Sequence, residues 1–197
     1  MKRLIQFTAA IALAVAVSAC DNARTANNDN KPAAGTGGVA GTTGSTDADR
    51  EFVQEQLAAG TAEIELGRLA QKNGTHADVK EFGAMMVQDH QAAAADLKPI
   101  AAKVNTTQAE ARNEGKNELQ DKIEDLQKLS GRDFDKKYID EMIDDHQKDV
   151  RELENKAENA SNAEVKALAA KTLPTVRHHL ERAKAIKETL DHANDAK

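Results

Sequence analysis

Two hexapeptides, MVQDHQ at 86–91 and MIDDHQ at 142–147, set two of the chain's six histidines in matching frames 56 positions apart. An imidazole near neutral pH can exchange a proton or offer a nitrogen lone pair to a metal ion. Either use depends on whether the ring faces a core or water. Phe82, Met86, His90, Ala93 and Leu97 recur at steps of three and four, which places His90 on the apolar stripe of a helix. Tyr138, Met142, His146, Val150 and Leu153 do the same for His146. A third stripe, Leu168, Thr172, Val176, His179, Ala183 and Ile186, selects His179 and leaves His178 among Lys171, Thr175 and Arg182 on a wet face. Of two nearby acids, Glu63 keeps company with Ala59, Gly60, Leu66 and Gly67, whereas Glu65 lies with Thr61, Arg68 and Lys72. Glu63 is therefore expected inside and Glu65 outside.

Glu63, His90, His146 and His179 thus form a candidate inward set of one carboxylate and three imidazoles. Those are the donors of a first-row transition-metal site for zinc, copper or iron. One such ion would satisfy all four groups, which are costly to bury without partners. The same groups also suit a hydrogen-bonded polar core that holds helix register with no ion. Asp89, between Met85, Met86, Ala92 and Ala93, sits at the seam and is a secondary candidate; Asp145, beside Glu141, Lys148 and Asp149, is expected to be exposed. The three methionines Met85, Met86 and Met142 are read as core packing rather than soft ligands.

Such a set needs long helices to carry it. With four Phe, one Tyr and no Trp, the chain favours an all-α fold over a sheet. Five helices are expected, at about 47–72, 76–104, 108–129, 133–160 and 162–192. TDAD at 46–49 and TQAE at 107–110 have the form of capping boxes. NGTHADVK at 73–80 and NASNAEVK at 159–166 each close one helix and open the next, with Thr75 and Ser161 as the expected caps. Thr75/Ser161, Asp78/Glu164, Val79/Val165 and Lys80/Lys166 are all 86 positions apart, so the chain holds two similar helical hairpins. The segment containing NELQDKIEDLQKLSG carries the chain between them and is expected to end at Gly131 as a C-cap. The architecture is a four-helix bundle of two hairpins with a short connecting helix. With both hairpin turns at one end, His90 and His146 would be level, and Glu63 and His179 about one turn away in opposite directions; with a full-length crossover and the turns at opposite ends, all four remain near mid-helix.

The N-terminus reads as a targeting segment. Lys2 and Arg3 precede an apolar stretch ending in VSAC, which gives a lipoprotein-type signal peptide at 1–19 and Cys20 as the lipidation site. Residues 20–46, rich in Gly, Thr and Asn, form a linker with a reach of about 25–30 Å, and the bundle domain occupies 47–197. An exported, periplasm-facing protein anchored to the inner or outer membrane follows. The 27 basic and 33 acidic side chains give a formal charge of −6, which becomes −8 without Lys2 and Arg3. No nucleic-acid partner is expected from that balance.

The lipobox followed in order by AEIELGRLA, VKEFGAMMVQDH, GRDFDKKYIDEMIDDH and LPTVRHHL resembles the exported bacterial family called domain of unknown function 4142. The resemblance spans about residues 50–192 and implies a ferritin-like bundle. Its recurring polar positions fall on Glu63, Asp89, His90, His146 and His179. The di-iron members of the wider superfamily carry Glu-x-x-His on two helices. Here Val87, Ile143 and Val176 stand three residues before the inward histidines. A non-catalytic binding or envelope-stress protein is the expectation. Its alternatives are a ferritin-like oxidase or peroxide-handling enzyme, and a structural module that docks an envelope partner or a second copy of itself.

Overall fold

The computed structural model describes residues 46–114 and 116–192, so the expected signal peptide, Cys20 and the expected linker before Thr46 lie outside the described residues. The described residues form six helices: α1 Asp47–Asn73, α2 Ala77–Lys103, α3 Gln108–Glu114, α4 Lys116–Gln127, α5 Gly131–Asn159 and α6 Ala163–His192. The all-α bundle is as expected, with α1–α2 and α5–α6 as its two hairpins. The expected connecting helix corresponds to α3 and α4, described on either side of position 115.

The capping box at 107–110 forms in full, and the one at 46–49 in its hydroxyl half. Thr46 Oγ1 accepts from Asp49 N at 3.2 Å, and Glu110 Oε2 accepts from Thr107 N at 2.8 Å while Thr107 Oγ1 accepts from Glu110 N. The hairpin turns cap one residue later than expected. His76, not Thr75, accepts from Asp78 N, and Asn162, not Ser161, accepts from Glu164 N at 2.9 Å and Val165 N at 3.2 Å. His76 and Asn162 are again 86 positions apart, so the repeat survives the correction. Gly131 also changes role. It opens α5 at φ 59° rather than closing the connecting helix, a backbone region that glycine enters without steric cost.

The turns lie at opposite ends of the bundle, the second of the two arrangements the sequence left open. Asp135, near the start of α5, accepts from Thr75 N at 2.9 Å and His76 N at 2.8 Å, and also from Thr75 Oγ1. Asp49, near the start of α1, accepts from Asn162 N at 2.9 Å. Each aspartate therefore satisfies amides at the turn of the other hairpin, where the first residues of a helix lack partners. Asp49 and Asp135 are also 86 apart. The intervening α3 and α4 must run the length of the bundle, the single long crossover of ferritin-like connectivity.

The core falls into two apolar clusters. One contains Leu66, Phe82, Met86, Tyr138, Met142 and Ala183, and the other Phe52, Leu57, Leu97, Leu153, Leu168 and Val176. On every long helix the polar positions 63, 90, 146 and 179 lie between the two. Counted from the end with the α1–α2 turn, Glu63 is 12 residues before Thr75, His90 15 after it, His146 15 after Gly131 and His179 13 before His192. At 1.5 Å per residue, all four lie about 18–23 Å from that end. The opposite-end arrangement levels them more closely than the same-end one would.

Gly67 and Gly83 bring α1 and α2 together beside this layer. A Cβ on Gly67 would stand 2.7 Å from Gly83 O, and one on Gly83 2.6 Å from Gly67 O. Only two glycines permit that approach of backbones.

Candidate metal centre

All four expected side chains meet in the bundle, with Glu63 2 %, His90 9 %, His146 0 % and His179 1 % exposed. His178 and Glu65 are exposed, as periodicity indicated. The three imidazole centroids form a near-regular triangle with sides of 6.0, 5.5 and 5.4 Å. One ring nitrogen from each of His90, His146 and His179 lies within 4.8 Å of the other two.

The protons on these rings follow from their partners. His146 Nδ1 lies 2.9 Å from Met142 O, and a carbonyl can only accept, so Nδ1 carries the hydrogen. His179 Nε2 lies 2.9 Å from Asp89 Oδ2 and donates to that carboxylate. The other nitrogens, His146 Nε2 and His179 Nδ1, face each other at 3.3 Å. Burial lowers both histidines' pKa values, that of His179 to about 4, and nearby imidazoles add to the effect in both. Both rings are therefore neutral near pH 7, and two lone pairs point at one another. A shared cation relieves that opposition. Two nitrogens bound tetrahedrally to one ion at about 2.0–2.1 Å would themselves be about 3.3–3.4 Å apart.

His90 is held differently. Its Nδ1 is 3.0 Å from Glu63 Oε2, close enough for an ion pair but without hydrogen-bond alignment. Glu63 Oε1 is 3.4 Å from His146 Nδ1. Burial would raise the Glu63 pKa, but the imidazoles, led by His90, hold it well below the usual carboxylate range. Burial opposes charge on His90 too, and Glu63 overcomes it to raise that pKa. Each group thus favours the charged form of the other. His90 Nε2 and both Glu63 oxygens are buried without a hydrogen-bond partner. Unsatisfied buried atoms of this kind are costly, and all three are potential ligand atoms.

A metal fits these residues. Each histidine has one nitrogen beside an oxygen, of Glu63, Met142 O or Asp89, and the other available. Metal-binding histidines are oriented in this way, with a carboxylate or carbonyl behind the ring. Asp89, the secondary candidate, lies behind His179, and Glu63 lies on the Nδ1 side of both His90 and His146.

Asp145 departs from expectation. It is half-buried and accepts from Lys122 Nζ at 2.7 and 2.8 Å, a bond from α4 to α5. Asp149 was not singled out by the sequence, yet it is 8 % exposed and close enough to Glu63 and His90 to interact electrostatically with both. Burial, then the charge of Glu63, push its pKa up to about 8, so it is mostly protonated at neutral pH. Two sequence signals pointed to it: it follows His146 by three residues, and it follows Glu63 by the 86-residue repeat.

A family model described as domain of unknown function (DUF4142) matches residues 34–186. No curated protein and no solved structure matches the chain.

Proposed function

We propose that this chain, which belongs to the domain of unknown function (DUF4142) family, binds one transition-metal ion through His90, His146 and His179. Glu63 and Asp89 orient the outer rings of that set, and Met142 O orients the third. The observation that carries the reading is the pair of opposed lone pairs on His146 Nε2 and His179 Nδ1, 3.3 Å apart. A purely hydrogen-bonded core would put a donor in that gap. Nitrogen and carboxylate donors suit zinc, copper(II) or iron.

The reading is of a binding protein rather than an oxidase, because the chain has no Glu-x-x-His pattern to supply bridging carboxylates. Its place is the periplasmic side of a membrane, held by a lipid on Cys20, as the VSAC motif supports. Serine at Cys20 should move the protein from the membrane to the soluble fraction.

Metal analysis of the purified full chain beside His146→Ala/His179→Ala tests the site. One ion per chain is expected in the parent and none in the variant, with both helical by circular dichroism. Equal, near-zero metal in the two, after incubation with zinc, copper and iron salts, would reject the site.

A further inference from the structure

Outside the histidines, α1, α4 and α5 leave a cleft of about 330 Å³. Six acidic side chains line it against two lysines, Lys122 and Lys148. Lys122 is occupied, at 2.7 Å from Asp145 and 3.3 Å from Glu118. The deepest acids are Glu63 and Asp149, and they also line a smaller cavity of about 30 Å³. That inner cavity is otherwise mostly apolar and reaches His90. Glu63 and Asp149 therefore form the wall between a solvent-open acidic cleft and the histidine layer. Glu63 is 2 % exposed, and neither of its oxygens has a hydrogen-bond partner.

We propose that this cleft is the path by which a hydrated divalent cation reaches the histidines, with Asp149 and Glu63 holding the ion on the way. The inference rests on the metal reading of His90, His146 and His179. A hydrated ion cannot pass an apolar wall without replacement of the waters it sheds. Carboxylate oxygens are the ligands that replace water one at a time, before imidazole nitrogens complete the transfer. Excess acid in a narrow, low-dielectric cleft also concentrates cations at its mouth and speeds their capture. Asp149 thus acts in loading rather than in the final set of ligands.

The test is stopped-flow loading of the full chain with Co²⁺, followed by the visible absorption of the bound ion. Asp149→Asn, which replaces one of the two carboxyl ligands on the path, should slow loading about tenfold or more, the scale on which metal-site partners act, and still reach one ion per chain. Glu51→Gln/Glu118→Gln, on the exposed rim, should load more slowly than the parent and lose part of its dependence on ionic strength. Unchanged rates in both variants would overturn the path while leaving the metal site standing. An Asp149→Asn protein that stays folded but never binds Co²⁺ would make Asp149 a permanent ligand and also overturn it. A parent chain that binds no Co²⁺ at equilibrium would remove the metal reading, and this inference with it.

Discussion

His146 and His179, 33 positions apart on neighbouring helices, face each other nitrogen to nitrogen at 3.3 Å. Each has its other nitrogen engaged, at Met142 O and Asp89 Oδ2, both 2.9 Å away. The acceptors choose the tautomers, and the tautomers choose which atoms look inward. Asp89 is only part-buried, yet it governs what a fully buried ring presents. Asp89→Asn should therefore lower metal affinity by about 10–100-fold without loss of helix, measured by competition with a chromophoric chelator. An unchanged affinity would show that His179 needs no carboxylate behind it.

Protons compete with the ion chiefly at His90. Its folded pKa is raised above 6.5 by Glu63, while those of His146 and His179 are lowered. At neutral pH the last two rings are ready to bind, whereas His90, wherever it is protonated, must lose the proton on Nε2 while its Nδ1–H stays toward Glu63. Below the raised His90 pKa, the logarithm of affinity should climb by about one per pH unit, and it should flatten above that pKa. Calorimetry in buffers of different ionisation enthalpy should find about one proton released per ion on the sloping part. Proton release independent of pH from 5 to 9 would contradict this ordering.

Asp149 gives the metal-free protein an opposite stability slope. Its pKa rises from 3.8 unfolded to about 8 folded, so between those values the folded chain binds more protons. Stability from this group is complete below pH 3.8 and is lost as pH rises through about 8. Asparagine removes the cost of holding or ionising that acid. Asp149→Asn should therefore stabilise the metal-free chain by about 1–4 kcal/mol at pH 8 and change little at pH 4. Urea melts at the two pH values provide the comparison, and destabilisation at pH 8 would rule the account out.

The close approach of α1 and α2 also has a measurable consequence. Alanine at Gly67 or Gly83 places a methyl group 2.6–2.7 Å from a backbone carbonyl oxygen that cannot swing away. Each substitution should cost about 1–3 kcal/mol or more. It should also weaken metal binding, because separating the helices carries Glu63 away from His90. Thermal melts and metal titrations read both effects, and a neutral Gly83→Ala would mean that the helices separate freely.

The two cross-hairpin caps should differ in strength. Asp135 accepts from two backbone amides and a hydroxyl, whereas Asp49 accepts from Asn162 N and has Lys156 Nζ 3.8 Å away. Asp135→Ala removes the acceptor of two part-buried amides and a hydroxyl and should cost about 2–3 kcal/mol, more than Asp49→Ala at about 1–2 kcal/mol. The reverse order in chemical denaturation would mean that the lysine contact outweighs the additional amide.

Much of the site was legible along the chain because a helix converts spacing into facing. Steps of three and four separated His179 from His178 and Glu63 from Glu65, and burial follows that division. The same rule failed for Asp149 because its sequence neighbours are charged. Lys148, Arg151 and Glu152 describe the exposed side of α5, not the helices across from it. The caps shifted by a residue for a related reason. Asp135, 60 positions away, takes the Thr75 amide and hydroxyl and leaves His76 to cap α2.

The sequence by itself determined which helix faces are apolar, where the hairpins turn, and that three imidazoles and one carboxylate point inward. Those properties depend on periodicity and local backbone chemistry, which act over a few residues. Only the tertiary structure decided that the turns lie at opposite ends and that His146 and His179 present bare nitrogens to one another. It also joined Asp149 to Glu63 beside a cleft. These outcomes depend on how far the α3–α4 crossover carries the chain before α5 begins, and on acceptors supplied by other turns and helices. Helical spacing fixes a side chain's angle about its own axis, but not what waits across the bundle.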